Sequence, residues 1–359
     1  MPERVVIAAG GTAGHVVPAL AVADALRASG AEVEFVGGER AEAQLVPAAG
    51  YPFHQIQVVG IDRRNPVRAA RALLLAAAAL PRAALLLRRA RADAVIGAGG
   101  YVAGPVGLAA RLLRIPLVLC EADSHLGMSN RLLERFARRV FLSFPIEGRD
   151  GGRYVLSGRP VPAGTGKADR AGARARFGIG ENEQCLLVFG GSLGARTLNV
   201  AAVEAFGAAS PCAVLHASGT RDYADLRARL DALGSPPHYH LHAYIEPFAD
   251  ALAAADLVAA RAGGSVLEVA AAGLPAVLVP YPHATADHQT RNAGWMEQAG
   301  AAVVVPDREL DGPRLAREVG ALLAAPARLR AMAAAAERVS RPDAAELIAR
   351  ETLAAARLN

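Results

Sequence analysis

The sequence predicts a two-domain α/β protein with a doubly wound parallel sheet in each domain. Three observations carry that prediction. A short apolar run entering a glycine turn occurs twice, as Val5-Val6-Ile7-Ala8-Ala9-Gly10-Gly11-Thr12-Ala13-Gly14-His15 and as Leu186-Leu187-Val188-Phe189-Gly190-Gly191-Ser192-Leu193-Gly194-Ala195-Arg196. Strand-like and helix-like segments alternate on both sides of the midpoint, which is the rhythm of βαβ units. Between the halves, Ser157-Gly158-Arg159-Pro160-Val161-Pro162-Ala163-Gly164-Thr165-Gly166 is rich in proline and glycine and reads as a linker.

In the first half, residues 4–9, 32–37, 94–98, 116–121 and 139–142 read as strands, being short apolar runs bounded by turn residues. Residues 19–29, 106–113 and 130–137 read as helices, and the helix after the first glycine turn is expected to begin near Pro18. The second half repeats the rhythm with strands at 184–189, 213–216, 238–243, 257–260, 276–279 and 302–305. The tail, 342–359, reads as a helix long enough to return to the first domain. The expected domains are 1–160, with 342–359 packed back on it, and 165–340.

Composition fits a soluble α/β protein: 53% of the 359 residues are hydrophobic, enough for two cores. The three cysteines, Cys120, Cys185 and Cys212, form no CxxC pair, so neither a disulfide framework nor a zinc site is expected, and a reducing cytoplasm is the simplest compartment. The first residues hold no charged segment followed by an apolar core, so no secretory signal is expected. The formal charge is +5 and Lys167 is the only lysine. Arginine-rich runs without stacking aromatics, at 5% aromatic content, argue against nucleic acid as a partner.

A glycine turn at a helix N-terminus lets backbone N–H groups approach an anion. His15 closes the first turn, where it serves as a base or phosphate contact, or simply caps and packs. Ser192 in the second turn reads equally as a phosphate contact or a helix cap. Arg261-Ala262-Gly263-Gly264-Ser265-Val266-Leu267-Glu268 again runs from loop to helix. There Glu268 suits a ribose, or only the helix dipole. Downstream of Pro280-Tyr281-Pro282, Gln289 and Asn292 fall on one helical face, where side-chain amides suit sugar hydroxyls or plain surface. His238, His240 and His242 alternate on a strand, but no carboxylate or cysteine completes a metal set. No Asp-x-Asp motif calls for a metal, and no cofactor is expected.

Several of these motifs occur in one order: Gly10-Gly11-Thr12-Ala13-Gly14-His15; Gly99-Gly100-Tyr101-Val102-Ala103-Gly104-Pro105; Gly190-Gly191-Ser192-Leu193-Gly194-Ala195-Arg196 with Leu198-Asn199; Arg261-Ala262-Gly263; Glu268 before Ala270-Ala271-Ala272-Gly273-Leu274-Pro275; and His288-Gln289 with Asn292-Ala293. Together they resemble the MurG family of glycosyltransferases, family 28, over nearly the whole chain. The resemblance implies a GT-B fold, two Rossmann-like doubly wound parallel-sheet domains facing across a cleft. It implies inverting transfer of N-acetylglucosamine from UDP-N-acetylglucosamine to the muramyl lipid of peptidoglycan synthesis, at the cytoplasmic face of the membrane. On that likeness the first domain takes the acceptor and the second the donor. His15 is then the general base, and Gly11, Thr12, Gly14, Tyr101, Glu121 and Asp123 lie at the acceptor. Ser192 touches the donor diphosphate, Ile245 presents its backbone to the uracil, and Glu268 holds the ribose. His288, Gln289 and Asn292 face the transferred sugar.

Three features depart from the family pattern. Cys120-Glu121-Ala122-Asp123 stands where the family usually has His-Glu-Gln-Asn. The linker lacks the arginine of an Asn-Pro-Val-Arg turn, for which Arg159, three positions earlier, is the substitute at the donor. The spacing from Arg261 to Glu268 is one residue shorter than the pattern. The first departure bears on the acceptor and leaves another glycolipid open. A UDP-sugar epimerase or a non-catalytic nucleotide-sugar binder on the same scaffold are the other readings.

From Arg63 to Arg91 there are eight arginines and no acid, interleaved with leucines. Pro81 is expected to break this stretch into two helical pieces, and its uncharged run at 72–81 is too short to span a bilayer. It reads as a peripheral surface docked on anionic lipid, or as ordinary core helices with a solvated basic face.

Overall fold

The computed structural model describes residues 2–60, 65–162, 164–191 and 194–358. It divides into two compact units, Met1–Pro162 with Arg341–Asn359, and Ala163–Ser340.

The first unit is built from β1 (Arg4–Ala8), α1 (Ala13–Ala28), β2 (Glu32–Gly37), α2 (Ala41–Ala48), β3 (Phe53–Gln55), α3 (Pro66–Arg89), β4 (Ala94–Gly97), α4 (Ala103–Leu112), β5 (Leu117–Glu121), α5 (Met128–Leu133), β6 (Arg139–Leu142) and β7 (Tyr154–Leu156). Its seven strands are all parallel and ordered β3-β2-β1-β4-β5-β6-β7. The strand order reverses between β1 and β4, and in open α/β sheets ligands bind at the carboxyl ends of strands at such a reversal. Ile7, Val95, Val118 and Leu119 are buried, as expected for strands covered on both faces. The edge strands β3 and β7 are three residues each. Neither buries any of its three residues, and neither lies in an apolar run long enough to mark a strand.

The second unit comprises α6 (Arg170–Phe177), β8 (Cys185–Phe189), α7 (Arg196–Phe206), β9 (Ala213–Ala217), α8 (Tyr223–Ala232), β10 (Tyr239–His242), α9 (Phe248–Ala254), β11 (Leu257–Ala260), α10 (Val266–Ala271), β12 (Ala276–Leu278), α11 (His288–Gln298), β13 (Ala302–Val304), α12 (Gly312–Leu323) and α13 (Pro326–Val339). Its six parallel strands run β10-β9-β8-β11-β12-β13. The order repeats that of the first sheet, with the reversal between β8 and β11.

The last helix, α14 (Ala344–Arg357), packs in the first unit. It buries Ile348 fully and most of Leu353, side chains worth about 1.5–3 kcal/mol each when removed from water. Arg357 bonds Glu3 at 2.6 Å and Arg139 bonds Glu351 at 3.2 Å on the surface of the same contact.

Two helices differ from expectation around a proline. Helix α1 starts at Ala13, not near Pro18, so His15 lies in its first turn. Pro18 has no N–H for the Gly14 carbonyl, and the Arg159 guanidinium donates to that carbonyl at 2.7 Å instead. Helix α3 is continuous through Pro81 rather than two pieces. Pro81 and Ala77 are both exposed, so water can satisfy the carbonyl that the proline leaves open.

Candidate active site

In the first unit, the loops leaving β1, β2, β4 and β5 meet at the sheet's carboxyl edge. Their approach is close enough to dictate glycine. A Cβ on Gly100, at φ +73°, would lie 2.0 Å from the Gly10 carbonyl oxygen. One on Gly99, at φ +88°, would lie 2.8 Å from Cδ2 of the His15 ring. The imidazole therefore rests on a bare backbone at the point where the strand order reverses. Its Nδ1 stands 3.5 Å from the Thr12 hydroxyl, at the outer limit of a hydrogen bond.

The ring also borders a small pocket shared with Cys120, Glu121, Ser143 and Ser157. Glu121 is 4% exposed. Its carboxylate accepts from Gly127 N at 2.8 Å, Asn130 Nδ2 at 2.9 Å and Asp123 N at 3.2 Å. Burial pushes its pKa up to about 7 against the opposing pull of those three hydrogen bonds. Glu121 thus ties down the 122–127 loop, which carries Asp123.

Gly11, at φ +115°, donates its N–H to Oε2 of Glu42 at 3.0 Å. Glu42 was not singled out by the sequence: it lies in an ordinary helical segment, and nothing local marks it. Tyr101 is half-buried under the Arg40 guanidinium, 5.5 Å from its ring centre. Burial, and then the Glu42 carboxylate, push its phenol up, so it stays a hydrogen-bond donor. Gly14 and Thr12 are exposed at the α1 N-terminus. Arg159 is 6% exposed and is engaged by Gly14 inside this unit. That bond supplies the Gly14 carbonyl with the partner that Pro18 cannot give.

In the second unit, the loop from β8 packs on the end of β9. A Cβ on Gly194, at φ +76°, would lie 2.3 Å from the Ser218 carbonyl oxygen. Asn199, one turn into α7, donates its amide to Ser218 O and to Asp222, both at 2.9 Å. His216 bonds Asn199 Oδ1 through Nε2 at 3.1 Å and Tyr239 through Nδ1 at 2.8 Å. Asn199 and His216 are fully buried. Burial holds the imidazole down at about 3, so it is neutral, with the proton on Nε2 to match the Asn199 oxygen. Ser192 lies outside the described residues.

At the β11 end, Glu268 is half-buried in the first turn of α10. Partial burial, then the carboxylates of Glu246 and Glu268, push the Tyr244 phenol up, which brings Glu268 into electrostatic range of the 244–246 loop. Ile245 is 4% exposed, so its side chain belongs to the core. Gln289 is half-buried, and its Oε1 accepts from Tyr281 N at 2.9 Å. Its Nε2 lies 4.0 Å from where a Gly263 Cβ would stand. His288 opens α11 beside it, after Ala286 and Asp287, two non-glycine residues at positive φ. Such strain, roughly 1–3 kcal/mol per residue, gathers at functional sites. Asn292 differs from expectation. It is fully buried and donates to Ala262 O at 3.1 Å, so it pins α11 to the β11 loop and leaves Gln289 as the amide nearer the surface.

Arg261 is also internal, bonding Val279 O at 3.2 Å and pairing with Asp307. Of the three alternating histidines, His238 lies just before β10 and bonds Phe206 O at 2.8 Å, and His242 meets Phe177 edge-to-face. Among the described residues no group of three or more metal-ligating side chains forms.

The chain matches the glycosyltransferase family 28 N-terminal domain over residues 5–142 and the family 28 C-terminal domain over residues 185–348. It is 43% identical over 357 residues to the UDP-N-acetylglucosamine--N-acetylmuramyl-(pentapeptide) pyrophosphoryl-undecaprenol N-acetylglucosamine transferase of Methylococcus capsulatus, covering 98% of this chain and 99% of the relative. It is 45% identical to the Alkalilimnicola ehrlichii protein of the same name, covering 99% and 100%. The crystal structure of Acinetobacter baumannii MurG superposes with a TM-score of 0.76 at 31% identity, over 98% of this chain and all of that one. A UDP-GlcNAc 2-epimerase from Neisseria meningitidis, bound to UDP-GlcNAc, superposes at 0.69 with 14% identity over 98% and 100%, which shows a shared fold alone.

Proposed function

The chain belongs to glycosyltransferase family 28, and from that premise we infer that it transfers N-acetylglucosamine from UDP-N-acetylglucosamine to the muramyl-pentapeptide lipid intermediate of peptidoglycan synthesis. It is a hexosyltransferase with the GT-B fold. The observation that carries the reading is identity above 40% along the full length of transferases that bear this name, against 14% for the epimerase scaffold.

The residues support a specific division of labour. The first unit takes the acceptor and the second the donor. His15 removes the proton as the acceptor hydroxyl attacks C1 of the sugar from the side opposite UDP, so the anomeric configuration inverts. Its placement over Gly99 in the first turn of α1 supports that role. The leaving UDP gathers negative charge, which the loop N–H groups and helix N-terminus after β8, with Ser192, offset. Glu268 accepts from the ribose hydroxyls, the main chain at Ile245 meets the uracil, and His288 and Gln289 face the sugar. Tyr101 donates its phenol to the acceptor, and Thr12, Gly14 and the Glu121–Asp123 segment shape the acceptor's side.

Contact with the membrane is assigned to α3, on the cytoplasmic face. Val67, Leu73, Leu74 and Leu85 are exposed on it, while Ala72, Ala79, Ala83 and Leu87 are buried. By length and composition α3 is the one single helix among the described residues long and apolar enough to cross a membrane. Its buried face belongs to the core of the first unit, and this favours lying on the bilayer. Arg68, Arg71, Arg82, Arg88 and Arg89 add attraction to anionic lipid, whereas Arg63 and Arg64 lie outside the described residues.

Incubation with UDP-N-acetylglucosamine, with and without the muramyl lipid, tests the reaction. UDP release that depends on that lipid is the expected result. Release only with a different glycolipid changes the acceptor, and a 2-epimer formed without any acceptor overturns the transferase.

A further inference from the structure

We infer that Glu42 is the positioning residue of the first glycine turn, its carboxylate holding the Gly11 N–H from inside the protein. The side chain is fully buried. Each oxygen is claimed by a different loop: Oε2 accepts from Gly11 N at 3.0 Å, after β1, and Oε1 from Gly38 N at 2.9 Å, after β2. A buried carboxylate is costly unless it is hydrogen-bonded, and one bonded to two backbone N–H groups fixes both of them.

The surrounding sequence is shaped to admit it. A Cβ on Gly37 would meet Glu42 Cγ at 2.7 Å, on Gly38 would meet Oε1 at 2.9 Å, and on Gly10 would meet Oε1 at 3.2 Å. Three glycines on two adjacent strand ends thus line one carboxylate. The same Gly38 Cβ would stand 3.1 Å from the Tyr101 hydroxyl, which places Tyr101 at the edge of this arrangement. Glu42 therefore sets the shape of the turn that presents Thr12 and His15 at the start of α1.

The inference rests on the reading of His15 as the base in an acceptor-binding unit, and the test separates the two. Glu42→Gln keeps the size but sets an amide NH2 against one of the two N–H donors. The variant is expected to lose at least tenfold in kcat, with KM for UDP-N-acetylglucosamine within twofold of wild type. In amide NMR spectra the Gly11 and Gly38 signals are expected to move together, with Gly191 and Gly194 unmoved. Gly38→Ala presses on Oε1 from the other side and is expected to lower kcat in the same direction, which carries the test if Glu42→Gln does not fold. A folded Glu42→Gln protein with wild-type kcat and KM values, or with an unmoved Gly11 amide, overturns the proposal. A raised donor KM with kcat unchanged, and both amides shifted, keeps Glu42 as the holder of the turn and overturns the assignment of this unit to the acceptor.

Discussion

The two glycine turns share a sequence signature and a place at the reversal of a doubly wound sheet, yet they are held by opposite means. The first is gripped through its N–H by a buried anion, Glu42. The second is seated on a carbonyl: Gly194 packs on Ser218 O, and the neutral chain Asn199–His216–Tyr239 supports that carbonyl from below. A glycine turn is thus only a bare stretch of backbone, and the neighbouring side chains decide what it does. In the first, one N–H of the turn is committed to a carboxylate. In the second, an amide and a neutral imidazole brace the carbonyl on which the turn sits, which suits the diphosphate contact proposed for it.

The largest effect that would break this contrast comes from the proton. His15→Ala is expected to lower kcat by roughly 10²–10⁴, the usual range for a general base, with UDP binding intact. Near-normal turnover in that variant removes the base from the first turn and makes the two turns alike again.

Next in size are the two close approaches. Gly100→Ala and Gly194→Ala each force a Cβ against a backbone oxygen at positive φ, and each is expected to cost about 3 kcal/mol or more in unfolding free energy. The comparison predicts different functional losses. Gly194→Ala weakens UDP binding measured by calorimetry, while Gly100→Ala spares it and lowers transfer. Equal loss of UDP binding in both would dissolve the distinction.

The gentlest test is pH. Glu121 is raised from 4.5 to about 7, so between those values the folded unit keeps a proton that the unfolded chain has released. Its contribution is full below pH 4.5 and is lost as pH rises through 7. His216 is lowered from 6.5 to about 3, so there the unfolded chain binds the extra proton. Its contribution is full above pH 6.5 and is lost as pH falls toward 3. Each slope is at most about 1.4 kcal/mol per pH unit. Hydrogen exchange, corrected for intrinsic rates, is expected to show β5 losing protection from pH 5 to 7 while β9 gains it. Glu121→Gln should flatten the first trend only, and parallel trends in both strands would refute the assignment.

Much of this was legible in the chain. The long strands follow from apolar runs between turn residues, and the parallel order follows from their alternation with helices. The positions of Gly10–His15, Glu268 and Gln289 follow from motifs that are local in sequence. The short strands β3 and β7 were not legible, because they lie in brief mixed stretches, whereas the equally short β12 and β13 sit inside the longer apolar runs 276–279 and 301–305. Continuity of α3 through Pro81 was not legible either, since it depends on which side of the helix faces water.

What the sequence determined by itself is the family, the two doubly wound sheets and the glycine-rich loops at their strand ends, since each rests on residues a few positions apart. What only the tertiary structure decided is which groups those loops meet. Glu42 reaches Gly11 across 31 positions and Arg159 reaches Gly14 across 145, in the latter case to replace a hydrogen bond that Pro18 cannot make. Asn292 turns inward to Ala262, 30 positions away. Such contacts are set by packing: a buried polar group must find a partner wherever the fold brings one, and no local spacing encodes that partner.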